Sequence, residues 1–159
     1  MASESGGPDR LGQFTSHHRL ATPVSPWERL KIGSGTPPIL TRHGWLIVYH
    51  GVSDLAKPGS AEHQLCYSAG VMVLSKVHPQ VILYRSAEPV LKPELSQERS
   101  GTIANVVFPT GIDCRDDLGL PNRFDVYYGM ADNRIGVARL DVPDCLPVGG
   151  AADPPEAKV

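Results

Sequence analysis

The sequence lacks the features of several large classes of protein. No apolar run approaches the ~20 residues that cross a bilayer, and the opening stretch, MASESGGPDR, has neither the basic start nor the apolar core of a signal peptide. Positive residues are not gathered into a basic run and the net charge is -2, so neither a nucleic acid nor a membrane is supported as a partner. We therefore expect a soluble, cytoplasmic protein that binds a small molecule.

Cysteine is scarce as well. Cys66, Cys114 and Cys145 are odd in number and far apart, without a C-x-x-C pair or a zinc-type spacing. The acidic stretch DCRDDLGLPNRFD lacks the D-x-D-x-D-G spacing and the closing glutamate of a calcium loop. No glycine-rich nucleotide loop or nucleophile elbow is present in the sequence. We expect reduced thiols, no metal and no cofactor.

Helical periodicity is also missing. The 16 glycines and 15 prolines would break most helices, so one short helical turn near 92–97 is the most that we expect. Short runs rich in Val, Ile, Tyr and Leu recur instead, separated by Gly, Pro and Asn. These runs predict strands over 38–42, 45–52, 66–75, 81–86, 103–112, 124–130 and 135–142. The fold class that they indicate is all-β.

Two features of the sequence suggest how these strands are arranged. TRHGWL places His43 and Gly44 between two β runs, which predicts a hairpin tip with Arg42 and His43 facing solvent. GWLIVYHG is echoed by RFDVYYGM, and SAGVMVLS by RIGVARLD. A long repeat with several short strands in each unit is typical of propeller blades. One unit would contain the strands near 38, 46, 67 and 82, and the other those near 105, 126 and 136.

Two blades alone would not make a closed propeller, which needs roughly four to eight. Their outer sheet faces and strand edges would be exposed and would favour association with other chains. We therefore expect the chain to be incomplete by itself, with a partner chain supplying the missing blades, or self-association covering the exposed surfaces.

Six motifs, taken together in order, resemble a known family between Trp27 and Val142. They are KIGSGTPPI, GWLIVYHG, YSAGVMVLS, VILYRSAEPVL, NVVFPTG and YYGMADNRIGVA. In these motifs the chain is similar to the C-terminal half of glycoside hydrolase family 130, the inverting mannoside phosphorylases and related enzymes built on five-bladed β-propellers. The resemblance implies a partial five-bladed β-propeller with about two blades present. Residues 27–142 would form these C-terminal blades, 1–26 a poorly ordered segment or a remnant of a preceding blade, and 143–159 a flexible tail.

The resemblance also implies a phosphate site. It carries phosphate-binding roles over to Lys31 of KIG and His50 of YHG, and it places Tyr67 in the same pocket. A phosphate needs a cation and directional hydrogen-bond donors, which these side chains supply. Taken singly, Lys31 would be a solvated surface lysine and His50 a hydrogen-bonded strand histidine. The six ordered motifs favour the phosphate interpretation.

Two further residues are implied on the sugar side of the site. Phe108 in NVVFPTG would be an apolar platform for a sugar ring, and Asp132 in YYGMAD would accept hydrogen bonds from sugar hydroxyls. The alternatives are a core aromatic for Phe108 and an ordinary turn residue for Asp132. Arg85 in YRS is expected to pair with a carboxylate and hold blades together rather than to touch substrate.

The activity that the resemblance implies is phosphorolysis of a β-mannoside, with inorganic phosphate as co-substrate and an α-mannose 1-phosphate as product. In the family an aspartate of the N-terminal half is the general acid, and that half has no match here, so no catalytic residue is expected in this chain. A hydrolytic relative would use water and a carboxylate base instead of phosphate. A non-catalytic remnant or a sugar- or phosphate-binding β module also stays open, and with it the question whether the chain is an enzyme.

Overall fold

The computed structural model describes residues 17–151, and strands make up most of its regular structure. The strands are β1 (Lys31–Gly33), β2 (Ile39–Leu40), β3 (Trp45–Asp54), β4 (Leu65–Leu74), β5 (Ile82–Arg85), β6 (Val107–Cys114), β7 (Arg123–Met130) and β8 (Arg134–Asp141). The helical elements in this range are α1 (Ser96–Arg99) and the 3₁₀ turns Pro26–Glu28 and Asp116–Leu118. The all-β expectation is confirmed.

The strands form two antiparallel sheets. In the first sheet the order is β1-β3-β4-β5, with β2 also paired to β3, and in the second it is β6-β7-β8. The strands of the two units predicted from the repeat therefore fall into two separate sheets, which confirms that grouping. β1 was missed, because three residues containing a glycine give no alternating apolar run.

The central pair of the first sheet is β3 with β4, which stay in register from Trp45 opposite Leu74 to Asp54 opposite Leu65. Both strands are rich in β-branched and aromatic residues, which fit a pleated surface. The β2–β3 hairpin predicted at His43-Gly44 is confirmed. Gly44 has φ +144, a conformation that favours glycine, and the Thr41 N–H donates to its carbonyl over 2.9 Å.

The main hydrophobic core lies between the two sheets. One face of the first sheet, including Val48 and Val71, packs against Phe124 and Val126 of the second. The side chains on this face alternate along each strand with those on the other. The far face of the second sheet is different, because it exposes large apolar side chains. These are Tyr127, Val137 and Ile135, which are 43%, 58% and 83% exposed.

Two predicted elements differ from the structure. Residues 103–105 are bends rather than strand, and β6 begins at Val107. The helical turn spans Ser96–Arg99 instead of 92–97. Pro93 disfavours helix in the residue before it, and the Glu98 side chain accepts the backbone N–H groups of Glu94 and Leu95, so the turn begins after them.

Residues 143–151 run back along the first sheet. The His43 ring contacts the Pro143 carbonyl over 2.9 Å, Arg42 pairs with Asp144 at 2.7 Å, and the Ala151 N–H donates to the Arg85 carbonyl. Arg42 is exposed as predicted, whereas His43 is half-buried, because its ring lies against this segment.

The ends of the chain are described only in part. Most of the predicted N-terminal segment 1–26 and the last residues of 143–159 lie outside the described residues. Between residues 17 and 151, no helix is long and apolar enough to cross a membrane.

Candidate functional site

Lys31, His50 and Tyr67 lie on one face of the first sheet, each on a different strand. Lys31 of β1 is opposite Val52 of β3, and Val52 is in turn opposite Tyr67 of β4. His50 is two residues before Val52 on the same strand, so its side chain projects from the same face. Strand pairing therefore gathers residues that are far apart in the sequence.

Four side chains meet at this point. The Lys31 ammonium lies over the Tyr67 ring, 5.4 Å from its centroid, and the His50 and Tyr67 rings are stacked with centroids 6.1 Å apart. The fourth side chain is that of Phe108, from β6 of the second sheet. Its ring centroid lies 4.3 Å from that of His50 and 6.5 Å from that of Tyr67. The structure thus brings together four of the five predicted site residues in a cluster that we call the aromatic cleft.

The hydrogen bond of His50 determines what its ring can offer a ligand. Nδ1 lies 2.9 Å from the Ser34 carbonyl oxygen, which can only accept, so Nδ1 carries the proton. Burial lowers the pKa of His50 below its usual 6.5, the Ser34 contact opposes this, and the Lys31 charge lowers it further. Near neutral pH the ring is therefore uncharged, and Nε2 presents a lone pair.

Gly33 makes room for this ring. It is the strand partner of His50, and a Cβ at this position would clash with His50 Cε1 and lie 2.7 Å from Nε2. The imidazole therefore lies directly across the glycine. The KIG motif supplies both the cation of the cleft and the space beside it.

The charge of the cleft is positive. Lys31 is exposed, and no carboxylate within residues 17–151 forms an ion pair with it. An uncompensated ammonium beside a histidine, a phenol and an apolar ring can bind an anion carried by, or adjacent to, a sugar. Across the described part of the chain, no group of three His, Cys, Asp or Glu side chains could hold a metal ion, and the three cysteines are free thiols.

Asp132 lies near the cleft but outside the four-residue cluster. It is in the β7–β8 turn, where Ala131 and Asp132 have φ +48 and +50 and the Asn133 N–H donates to Met130 over 3.1 Å, as in a type I′ turn. The Ala131 N–H donates to Val106, whose backbone bridges to Tyr67. This places the turn at the Tyr67 end of the sheets. Within residues 17–151, Asp132 forms no hydrogen bond with the cleft residues.

A buried ion pair lies on the face of the first sheet that is directed away from the second sheet. Arg85 and Glu28 side chains are both fully buried and 2.9 Å apart, and the Tyr49 hydroxyl donates to Glu28 over 2.8 Å. Pairing of Arg85 with a carboxylate is confirmed. The pair joins β5 to the segment before β1, and the expectation that Arg85 holds two blades together stays a prediction. Glu28 was missed, although Ser25 and Glu28 have the spacing of a capping box.

Comparisons with known proteins match this chain to one family. The sequence model of glycoside hydrolase family 130, described as beta-1,4-mannooligosaccharide phosphorylase, matches residues 13–148. A 1,2-beta-oligomannan phosphorylase of Thermoanaerobacter sp. is 36% identical over 86% of this chain and 42% of its own length. A beta-1,4-mannooligosaccharide phosphorylase of Ruminococcus albus is 35% identical over 89% of this chain and 39% of its own length.

A solved structure shows the same fold. The beta-1,2-mannobiose phosphorylase of Listeria innocua, in complex with beta-1,2-mannobiose, superposes with a TM-score of 0.61 at 27% identity. The match covers 76% of this chain and 30% of that one. This chain thus spans about two fifths of the length of the two curated relatives named above.

Proposed function

Because the chain belongs to glycoside hydrolase family 130, we propose that it is the C-terminal part of an inverting phosphorylase. This enzyme would cleave β-mannoside oligosaccharides with inorganic phosphate to give α-mannose 1-phosphate. Relatives with mannoside phosphorylase names support the reaction class. The two sheets would be two blades of a five-bladed propeller, formed by residues 27–142. The observation that carries the proposal is the aromatic cleft, where strand pairing brings Lys31 beside His50 and Tyr67.

In this proposal the cleft binds phosphate. Lys31 supplies a cation with no competing carboxylate in residues 17–151, and Tyr67 supplies a phenol. His50 Nε2 takes up a proton from solvent when the anion binds, since its Nδ1 is committed to Ser34. The resulting N–H donates a charge-assisted hydrogen bond to a phosphate oxygen.

The sugar would bind at the aromatic cleft, where Phe108 of the second sheet meets His50 of the first. Phe108 lies against His50, so a mannose ring stacked on this aromatic would be held next to the phosphate. Asp132 would accept hydrogen bonds from sugar hydroxyls from the turn at the same end of the sheets. The type I′ turn, with its left-handed backbone at Ala131 and Asp132, fixes the position of this carboxylate.

The proposed chemistry divides the work between two parts of the family fold. Phosphate held by the cleft would attack the anomeric carbon from the face opposite the glycosidic oxygen, which inverts the configuration. A general acid would protonate that oxygen. We assign this acid to the part of the family length that this chain does not match, supplied by a partner chain or by a longer product. Phosphate is a co-substrate, and the proposal requires no cofactor.

A hydrolytic relative would need a carboxylate base and a water in place of phosphate. The cleft favours the phosphorylase, because its charged group is a lysine without an ion-pair partner in residues 17–151 rather than a carboxylate. A non-catalytic module that binds sugar or phosphate would use the same residues, so activity and binding have to be measured separately.

The binding test is calorimetric titration of the purified chain with inorganic phosphate. We expect Lys31→Met to weaken phosphate binding by roughly 10- to 100-fold, the value of one charge-assisted hydrogen bond. Lys57→Met, which removes an exposed lysine in the β3–β4 loop, is the matched control and should leave the affinity unchanged. Equal affinities in all three proteins would overturn the phosphate assignment.

The activity test uses β-1,4-mannobiose and phosphate with the chain alone. We expect no mannose 1-phosphate, because positioning does not replace a general acid worth about 10²–10⁴-fold. Adding a partner that carries the remaining blades should restore release, and Lys31→Met should abolish it again. Robust release by the chain alone would contradict the placement of the acid, and Asp132 would be the first candidate for it. If the chain binds phosphate but the mixture with the partner releases no mannose 1-phosphate, the chain is a non-catalytic module.

A further inference from the structure

The structure contains the same buried carboxylate arrangement twice. The segment LATPVSPWER before β1 is repeated as VLKPELSQER before β6, and each copy has a glutamate in its short helical turn, Glu28 or Glu98. Both glutamates are buried, at 0% and 2% exposure. The repeat therefore extends beyond the strands to a polar group under each sheet.

The Glu28 carboxylate has both hydrogen-bond donors and a countercharge. Oε1 accepts the N–H groups of Val24 and Ser25 at 3.1 Å, and Oε2 accepts the Tyr49 hydroxyl. Arg85 adds a cation, with Nη2 2.9 Å from Glu28 Oε1 and Nε donating to the Tyr49 hydroxyl over 3.1 Å. A buried carboxylate with this set of donors and one guanidinium is neutralised as well as hydrogen-bonded.

The surroundings of Glu98 lack the cation. Oε2 accepts the N–H groups of Glu94 and Leu95 at 2.8 Å, and Oε1 accepts the Tyr128 hydroxyl at 2.7 Å. Within residues 17–151 no Lys, Arg or His forms an ion pair with Glu98. A buried carboxylate without a countercharge is costly. The hydroxyl and both N–H donors of the first arrangement recur, but the arginine does not.

The missing arginine corresponds to a missing strand. Arg85 belongs to β5, which pairs with the outer edge of β4, whereas β8, the equivalent of β4 in the second sheet, is an edge strand of the described chain. Tyr49 is opposite Gly70, and Arg85 is opposite Met72 two residues further on. In the second sheet Tyr128 is opposite Gly136.

The same two-residue step along the second sheet identifies the strand position at which a cation would be equivalent to Arg85. Ala138, two residues after Gly136, is the equivalent of Met72. An arginine on a strand added outside β8 and opposite Ala138 would therefore occupy the place that Arg85 has in the first sheet.

The backbone of β8 can accept such a strand. The Val142 N–H donates to Asn122, so the even-numbered residues of β8 bond to β7 in an alternating antiparallel ladder. The odd-numbered residues Ile135 and Val137 then direct their N–H and C=O groups to the free edge. Their side chains are also exposed, at 83% and 58%, which is unusual for an edge that stays in water.

We propose that this edge pairs with β8 of a second copy of the chain. The two strands would run antiparallel about a two-fold axis at Gly136, with Ile135 of one copy opposite Val137 of the other. This register satisfies the free backbone groups of both strands and places two apolar cross-strand pairs side by side.

In this register the second copy also supplies a cation for Glu98. It sets Arg134 of the second copy opposite Ala138, with the same strand direction and offset as Arg85 opposite Met72. Arg134 is exposed and forms no ion pair within residues 17–151. The Tyr128 ring crosses Gly136 as the Tyr49 ring crosses Gly70, and the small side chain of Ala138 lets the arginine reach toward Tyr128 and Glu98. By symmetry each copy neutralises the Glu98 of the other.

Sedimentation of the full chain over a range of concentrations tests the association. We expect a monomer–dimer equilibrium that Arg134→Gln weakens by about tenfold or more, because it leaves both buried carboxylates unpaired. Arg139→Gln is the matched control, since this exposed arginine pairs with Asp141 on the face of β8 opposite to that of Arg134, and it should leave the dimer unchanged. A monomer at every concentration would overturn the proposal and would mean that another segment or another chain occupies the edge.

Cysteine cross-linking tests the register independently of stability. In a Cys145→Ser background, Ile135→Cys and Val137→Cys would lie opposite each other across a hydrogen-bonded pair, with Cα atoms about 5.5 Å apart, which suits a disulfide. An oxidised mixture of the two variants should give a covalent dimer, while each variant alone should not, because like positions are more than about 7 Å apart. Cross-linking of a single variant, or none in the mixture, would contradict this register.

Discussion

The imidazole of His50 and the ring of Phe108 have centroids 4.3 Å apart although they belong to different sheets. His50 is on β3 and Phe108 on β6, so the aromatic cleft is formed by the packing of the two sheets and not by either one. The core between the sheets, which includes Val48 and Val126, therefore positions the site as well as stabilising the fold.

Replacing Phe108 by leucine should separate sugar binding from phosphate binding. Phe108→Leu keeps an apolar side chain but removes the flat ring, so we expect weaker binding of β-1,4-mannobiose and nearly unchanged binding of phosphate, both measured by calorimetry. Phe124→Leu is the control, because Phe124 lies at the other end of the β6–β7 pair from Phe108, and it should lower the unfolding midpoint while keeping both affinities. Loss of phosphate affinity in Phe108→Leu would show that the ring serves the anion instead.

A methyl group at position 33 should disturb the cleft more than the fold. Gly33→Ala places a Cβ against the His50 imidazole, which must rotate away from the Ser34 carbonyl. We expect weaker phosphate binding with a small change in thermal stability, because the displaced group is a half-buried side chain. Gly111→Ala is the control, since a Cβ there meets Tyr127 at an ordinary 3.5 Å. Unchanged phosphate affinity in Gly33→Ala would argue that the ring position is irrelevant to the ligand.

Phosphate should raise the pKa of His50. In the free chain burial and the Lys31 charge hold this pKa below 6.5, and an anion at Nε2 would favour the charged ring. We expect proton uptake on binding, seen as an upward shift of the His50 titration in NMR spectra recorded with phosphate. The resonance of His78, an exposed histidine in the β4–β5 loop, is the internal reference. An unchanged His50 titration would place the anion elsewhere.

The same depressed pKa has a consequence for stability. The unfolded chain binds a proton at His50 near pH 6.5, while the folded chain binds it at a lower pH. The folded state is therefore favoured by this group above pH 6.5 and loses that contribution as the pH falls through the folded pKa. We expect the urea midpoint to fall over this range, and to fall less in His50→Gln.

Most of the strands could be predicted from the sequence, because β3, β4, β7 and β8 are runs of β-branched and aromatic residues bounded by turns. The two-sheet grouping followed from the repeat of these runs. β1 could not be predicted, since its three residues become a strand only through pairing with β3. Local pattern predicts a strand when the pattern is long enough to define a face.

The candidate site was predicted from the resemblance to a family and not from local sequence patterns. Lys31, His50, Tyr67 and Phe108 were carried over from ordered motifs, and the pairing of β1, β3 and β4 explains why residues so far apart can meet. The buried glutamates were missed, because burial of Glu28 depends on Tyr49 and Arg85 from distant strands. The capping-box spacing and the recurring P-x-x-x-x-E-R were the available signals.

Breaking the Glu28–Arg85 pair should destabilise the first sheet strongly. Both side chains are 0% exposed, and removing one partner leaves the other charged and buried, at a cost of about 3–5 kcal/mol. We expect Arg85→Met to lower the free energy of unfolding by this amount in urea denaturation. Arg42→Met, which removes an exposed ion pair with Asp144, is the control and should cost no more than about 1 kcal/mol.

The double variant Arg85→Met with Glu28→Gln distinguishes the charge from the packing. Removing both charges leaves no isolated ion in the interior, so we expect the pair of substitutions to cost clearly less than the sum of the two single ones. In that variant the amide oxygen that Glu28→Gln introduces can still accept the N–H groups of Val24 and Ser25. Its NH2 group can donate to the Tyr49 hydroxyl oxygen, which Arg85→Met frees from Arg85 Nε. If the two costs add fully, the network stabilises the sheet through shape and not through charge. The Glu98 carboxylate, which has no countercharge within residues 17–151, would then destabilise the second sheet much less.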